Sequence, residues 1–193
     1  MTVKTASADV LLPPQTPNSG QFPRETPHMT AEPTLDPRQF RDAIGRFATG
    51  VTVITWDDGE HVRGMTANAV ASLSLDPMQL LVCVDKKGTA HEQLKSARAF
   101  AVNILAQDQI EVSNAFARRG VEDMGEVSYT TRQTGAPIID GVLTWVECEI
   151  AERIDGGDHT IYIGRVLDLE IARPDASPLL FFGGRYRALG DEL

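Results

Sequence analysis

Two alternating stretches near the end of the chain limit its fold more than any other feature. In the first, Val142, Thr144, Val146, Cys148 and Ile150 alternate with Leu143, Trp145, Glu147 and Glu149; in the second, Ile161, Ile163, Leu167, Leu169 and Ile171 keep one parity, broken only by Arg165. A period of two belongs to extended strands, whose successive side chains leave opposite faces. Gly156-Gly157-Asp158 lies between the stretches and supplies a turn, so the spacing predicts two long strands joined as a hairpin.

The remaining elements are shorter. Asp36-Pro37-Arg38-Gln39 combines a capping acid, a proline at the first helical position and a glutamine three residues after the cap, so the domain is expected to begin here with one short amphipathic helix. Phe40, Ile44 and Phe47 lie on one face of it, and Gly50 is the expected stop. Residues 51–56 and 61–63 flank Asp57-Asp58-Gly59 as a hairpin, and further strands are expected over 66–74, 79–84, 99–105 and 178–182. Thr89-Ala90-His91-Glu92 reads as a capping box that opens a helix to about Arg98, and a second helix fits 107–119 with Gly120 as its stop. Strands in this number, with helices inserted and no regular βαβ alternation, favour a mainly antiparallel barrel over a doubly wound sheet.

Composition narrows the function. Eighteen Lys and Arg against 27 Asp and Glu leave a net charge of −9, which opposes binding to nucleic acid and to acidic membranes. No apolar run is long enough to span a bilayer and no basic, then apolar, leader opens the chain, so a cytoplasmic location is expected. Residues 1–34 hold six of the eleven prolines and a single aromatic residue, Phe22, which predicts a disordered extension that is dispensable for folding. Residues 35–189 form the expected domain, and 190–193 a short tail. Cys83 and Cys148 sit in apolar runs and read as small buried hydrophobes; the four histidines are scattered without metal-ligand spacing, so no metal site is expected.

Dinucleotide-fold, P-loop, serine-hydrolase and zincin signatures are all missing. What remains is a set of individually weak segments. Gly64 to Ser74, with Thr66, Ala67, Asn68, Ala69, Val70, Ala71, Ser72 and Ser74, is rich in small and hydroxyl residues; it suits either a flat polar ligand or an edge strand facing water. Asp85-Lys86-Lys87-Gly88-Thr89 runs from a strand into a helix start, as an anion-binding loop or as a solvated turn. Phe116-Ala117-Arg118-Arg119 ends a helix, where cations suit the dipole with or without a phosphate. His159 follows a glycine turn and reads as a surface histidine on spacing alone, and Tyr186 follows Gly183-Gly184 as a second aromatic donor after a permissive turn.

In this order, the segments resemble the short-chain flavin reductase family, the reductase components of two-component flavin-dependent monooxygenases. The resemblance covers residues 35–189. It is carried by Thr49 to Thr55, Gly64 to Asn68 running into Ser72 to Pro77, Phe100 to Leu105, Gly135 to Ile138, Glu147-Cys148, Gly157-Asp158-His159 and Pro178 to Phe182. It implies an FMN-binding split β-barrel of Greek-key-like connectivity that forms a homodimer, with FMN or FAD near the subunit interface and NADH or NADPH as hydride source. By the same resemblance, Asn68 to Ser72 meet the isoalloxazine and ribityl chain, and Lys86, Lys87, Gly88 and Thr89 the phosphate. Phe116, Arg118 and Arg119 add a further phosphate contact, and Gly157, Asp158, His159 and Thr160 form the nicotinamide side. The chain departs from the family pattern at Gly88, where a serine is common, and at Met124, where an aromatic residue often follows the basic loop.

Hydride transfer between two cofactor rings needs stacking and exclusion of water more than an acid or base, which fits a sequence without a catalytic triad. The expected activity is therefore NAD(P)H:flavin oxidoreduction, with His159 placing the nicotinamide and reduced flavin passed by diffusion to a separate monooxygenase. The rival is a flavin- or haem-binding barrel without catalysis, which has no use for Gly157-Asp158-His159.

Overall fold

The computed structural model describes residues 35–118 and 123–191; the proline-rich extension, Arg119 and Gly120 lie outside the described residues. Asp36 caps helix α1 (Pro37–Ile44), its carboxylate accepting from the Arg38 amide at 2.9 Å. Gly45, and not Gly50, ends this helix; Gly50 belongs to strand β1 (Thr49–Gly50). Among the described residues the apolar side chains of the segment find little cover, since Phe40, Ile44 and Phe47 are 65, 57 and 72% exposed.

Seven strands make the main sheet: β2 (Thr52–Asp57), β3 (Val62–Ala67), β4 (Val70–Leu75), β5 (Met78–Asp85), β6 (Ala99–Ile104), β9 (Thr144–Gly156) and β10 (His159–Glu170). Between them come helices α2 (Thr89–Leu94) and α3 (Ile110–Phe116) and the short pair β7 (Tyr129–Thr131) and β8 (Pro137–Ile139). Strands β11 (Leu180–Phe182) and β12 (Arg185–Arg187) close the chain and pair with β1. Every pairing is antiparallel, and the order of the main sheet is β3-β2-β6-β9-β10-β5-β4.

That order dictates a barrel. Its two edge strands, β3 and β4, are consecutive in sequence and joined only by Asn68 and Ala69. A flat sheet of this width would hold its edges ~29 Å apart at ~4.8 Å per strand, whereas a two-residue link spans at most ~11 Å. The sheet must curl until the edges meet, and the Ala69 carbonyl accepts from the Cys83 amide at 3.0 Å beside the seam. This seam also splits the single strand expected over 66–74 into β3 and β4.

The barrel interior is filled by Ile54, Trp56, Val82, Val84, Phe100, Val102, Cys148 and Tyr162, and α2 contributes Ala90 and Leu94 to the same core. A second core lies on the outer face of β2, β6 and β9, where Val53, Ala101 and Trp145 pack with Leu105, Phe116, Ile138, Ile139 and Leu179. Both faces of β9 are thus covered over residues 144–148, and Glu147 is wholly buried there. Its carboxyl accepts three hydrogen bonds, from the Gln133 and Thr134 amides at 3.1 Å each and from Thr134 Oγ1 at 2.6 Å. Met124, at a departure from the family pattern, is buried in this second core. Cys148 is buried, as expected, and burial pushes its thiol up to about 12; Cys83 is only partly covered.

The β2–β3 turn holds a carboxyl whose proton affinity is strongly lowered. Partial burial opposes ionisation of Asp58, but the Arg63 guanidinium, with Nε 2.6 Å from Oδ2, and the His61 and Glu60 amides hold its carboxyl down to about 2. A depressed folded-state value stabilises the fold above the ordinary carboxylate value of 3.8, and that contribution is lost as pH falls towards about 2. Asp58→Asn is therefore expected to lower the melting temperature at neutral pH, with the gap from wild type closing through this acid window. A gap that stays constant down to the acid limit would show that the loss is one of packing.

Candidate functional site

The barrel seam opens into a trench of three adjoining cavities. One end, about 210 Å³, is lined by Met65, Thr66, Lys87, Gly88, Thr89 and Phe116, with Arg118 at its rim. The middle, about 180 Å³, shares Thr66 and Ala117 with that end and adds Ala67, Asn68, Phe181 and Tyr186. The largest part, about 840 Å³, shares Asn68 and Phe181 with the middle and runs past Ala69, Val70 and Ala71 to His159, with Phe40, Ile44 and Phe47 on its opposite wall.

Local sequence explains this shape. Gly64 lets the Phe116 ring lie against β3, because a Cβ there would meet the ring at 2.9 Å. Thr66 Oγ1 donates to the Ser113 carbonyl at 2.6 Å, and the Tyr186 hydroxyl lies 2.8 Å from Ser113 Oγ, so β3 and β12 both fasten α3 behind the cavity. Asn68 is held at the seam by donating to Thr49 Oγ1 at 3.2 Å. In the Asp85–Thr89 loop the Asp85 carboxylate accepts the Lys87 amide at 2.9 Å. The expected capping box is absent: Gly88 is the N-cap, Thr89 already belongs to α2, and the helix stops at Leu94 instead of near Arg98.

Most of the residues expected at a site meet in this trench, but six do not line it. The Lys86 ammonium turns away and bonds Asp155 Oδ2 and the Gly157 carbonyl, both at 2.6 Å. Thr160 directs its hydroxyl to His91 Nε2 at 2.8 Å, and Ser74 Oγ accepts the Asp76 amide at 3.3 Å in a turn. Gly157, with φ +80°, shapes the β9–β10 turn, and Asp158 Oδ1 sits 2.7 Å from His159 Nδ1; that hydrogen bond holds the Asp158 carboxyl below the ordinary range. Ser72, on edge strand β4, lines none of the three cavities. Arg119 is outside the described residues. Phe47, Thr49 and Phe181 line the trench although the sequence does not single them out as lining groups, and His91, which reads there only as part of a capping box and as one of four scattered histidines, has no assigned role. Thr49 and Phe181 lie within segments that carry the resemblance, whereas nothing local distinguishes His91 from an ordinary helix residue.

An elongated trench with two cations at one end, small residues and backbone in the middle and a half-exposed imidazole at the far end can hold an extended anionic ligand with a flat ring. Comparison with known proteins agrees with that geometry. The family model described as "Flavin reductase like domain" matches residues 44–190. A protein of Rhizobium meliloti named "Probable flavin reductase" is 46% identical over 144 residues, 74% of this chain and 46% of that protein, so the chain spans about half of that relative's length. The "Flavin-dependent monooxygenase, reductase subunit HsaB" of Mycobacterium tuberculosis is 34% identical over 159 residues, which are 82% of this chain and 85% of that protein. Among solved structures, the NADH:FAD oxidoreductase SgcE6 of Streptomyces globisporus superposes with a TM-score of 0.76 at 38% identity, covering 82% of this chain and 98% of its own. From the end of α1 to its C-terminal strands, over residues 44–190, the chain belongs to the flavin reductase like family.

Proposed function

We propose that the chain is an NADH-dependent flavin reductase, the reductase half of a two-component flavin-dependent monooxygenase. The observation that carries this reading is the trench itself, which joins a cationic end, a small-residue seam and His159 in one continuous surface. The described residues fit a flavin. Lys87 and Arg118 answer the charge of its phosphate, Asn68 to Ala71 present backbone and small side chains to the ribityl chain and ring, and the apolar wall excludes water. Flavin bound there supplies the hydride acceptor. His159, with its ring held by Asp158, places the nicotinamide. FMN or FAD both fit an open cationic end, and NADPH is a second possible donor; the relatives whose names specify NADH favour NADH.

Two further parts belong to this proposal. The exposed Leu75, Met78, Leu169 and Ile171, with the apolar side of α1, favour a homodimer, and reduced flavin then leaves for a separate oxygenase. No helix among the described residues is long and apolar enough to cross a membrane; a cytoplasmic location, where the NADH of the proposed reaction is available, is part of the same proposal.

The test is NADH and NADPH oxidation with FMN, FAD and riboflavin supplied in turn. Flavin-dependent consumption of NADH is expected, whereas tight flavin binding without any oxidation of either nucleotide would identify a binding protein instead. Within this reaction, His159→Ala is expected to raise KM for NADH or slow hydride transfer by ~10-fold while flavin affinity stays within ~3-fold. Unchanged reductase kinetics would remove His159 from the site.

A further inference from the structure

His91 is a buried titratable group that the proposed function leaves unused. It is 5% exposed, and a buried imidazole needs a partner at each polar nitrogen. Both have one: Nε2 lies 2.8 Å from Thr160 Oγ1, and Nδ1 lies 3.2 Å from Glu92 Oε1. Thr160 directly follows His159 in β10. Successive strand side chains leave opposite faces, so the hydroxyl that reaches inward to His91 fixes the backbone from which His159 reaches outward to the trench.

The other end of the link is the cationic cavity. Gly88, Thr89 and Ala90 line it, and they lead directly to His91 on the first turns of α2. A second tether runs alongside, because the Lys86 ammonium binds Asp155 and the Gly157 carbonyl while the Lys86 amide donates to the Asp158 carbonyl at 2.9 Å. Lys86 is half-buried, but its partner Asp155 is exposed and their ion pair is weak in water, whereas the imidazole is buried; both links run beside the β5–β10 ladder, in which His159 pairs with Asp85.

We infer that His91 is a positioning residue that couples occupancy of the cationic cavity to the placement of His159, so that a flavin's phosphate speeds hydride transfer in addition to holding the flavin. This inference rests on the flavin reductase reading. FMN and riboflavin carry the same ring, so a phosphate that acted on affinity alone would leave their rates equal once each is saturating.

Two measurements on the full chain test it. In single-turnover reduction by NADH, wild type is expected to reduce saturating FMN at least ~5-fold faster than saturating riboflavin. In His91→Leu that ratio should fall below ~2 and KM for NADH rise ~5-fold, with FMN affinity within ~2-fold. His91→Gln, whose amide still reaches Thr160, should restore the ratio. Thr160→Val removes the same bond from the other partner in an isosteric side chain, and should reproduce the loss without adding to it in the double variant. Independently of turnover, inorganic phosphate should shift the His159 Cε1–H resonance in the wild type and leave it unmoved in His91→Leu and Thr160→Val.

Equal wild-type rates for the two flavins overturn the inference, as does a ratio that survives in both His91→Leu and Thr160→Val. Loss of melting temperature alone, with ratio and resonance shift intact, would make His91 an ordinary core residue and also overturn it. If the wild type oxidises no NADH with any flavin, the reductase reading fails, and the phosphate-induced shift alone then decides the coupling.

Discussion

Glu147→Ala should lower the free energy of unfolding by about 3 kcal/mol or more, since each buried donor left unpaired costs ~1–3 kcal/mol. The carboxyl lies wholly inside the second core and is the shared acceptor for the Gln133 amide, the Thr134 amide and the Thr134 hydroxyl. Alanine leaves all three without it and opens a cavity beside Ala101, its cross-strand neighbour on β6. Thr134→Ala removes one donor while the carboxyl keeps two, and should cost ~1 kcal/mol. Glu147→Gln should fall between them, because its NH2 group faces a donor. Urea unfolding followed by tryptophan fluorescence measures the series. A Glu147→Ala loss under ~1 kcal/mol would mean that the 133–134 turn rearranges to find water, and that the carboxyl does not anchor it.

The second large effect concerns charge at the trench. Paired reversal, Lys87→Glu with Arg118→Glu, is expected to weaken FMN on the order of 100-fold while changing riboflavin less than ~3-fold. The two side chains flank the same cavity, and in a chain of net charge −9 no broad positive field replaces them. Lys86→Glu should show no such selectivity, because its ammonium is spent on Asp155 and the Gly157 carbonyl. Fluorescence quenching of each flavin on binding reads these affinities, and the selectivity should shrink as salt is raised. Equal losses for FMN and riboflavin would move the phosphate away from this end of the trench.

The parts of this molecule that were legible in the sequence are those whose determinants are local. The β9–β10 hairpin is written in its alternation and in the Gly157 turn, and the start of α1 in Asp36 and Pro37. Strands β7, β8 and β12 are three residues each, too short for a period to register. Alternation along β9 distinguishes its two faces without saying that both are covered over residues 144–148, and so it does not reveal that Glu147 is buried. The site was legible as segments whose order resembles a family, and the trench does unite Thr66 to Ala71 with Lys87, Gly88, Thr89, Phe116, Arg118, Tyr186 and His159. Lys86 and Thr160 lie off the trench for one physical reason: the partners that claim their polar atoms, Asp155 and His91, are each 69 residues away in the chain. A positive charge near a turn looks the same in sequence whether it waits for a ligand or is already bound.

The exposed apolar face of α1 has a consequence for how the protein responds to dilution. Phe40, Ile44 and Phe47 form one wall of the trench, yet among the described residues they stay more than half exposed, and the loop just after the helix is reached by the Gly183 amide, which donates to the Gly45 carbonyl at 2.9 Å. In the proposed dimer a second copy supplies the missing cover, and the wall then obeys mass action. Activity per chain should consequently fall as the protein is diluted through its dimer dissociation constant, and excess flavin, which needs the same wall, should pull the subunits back together.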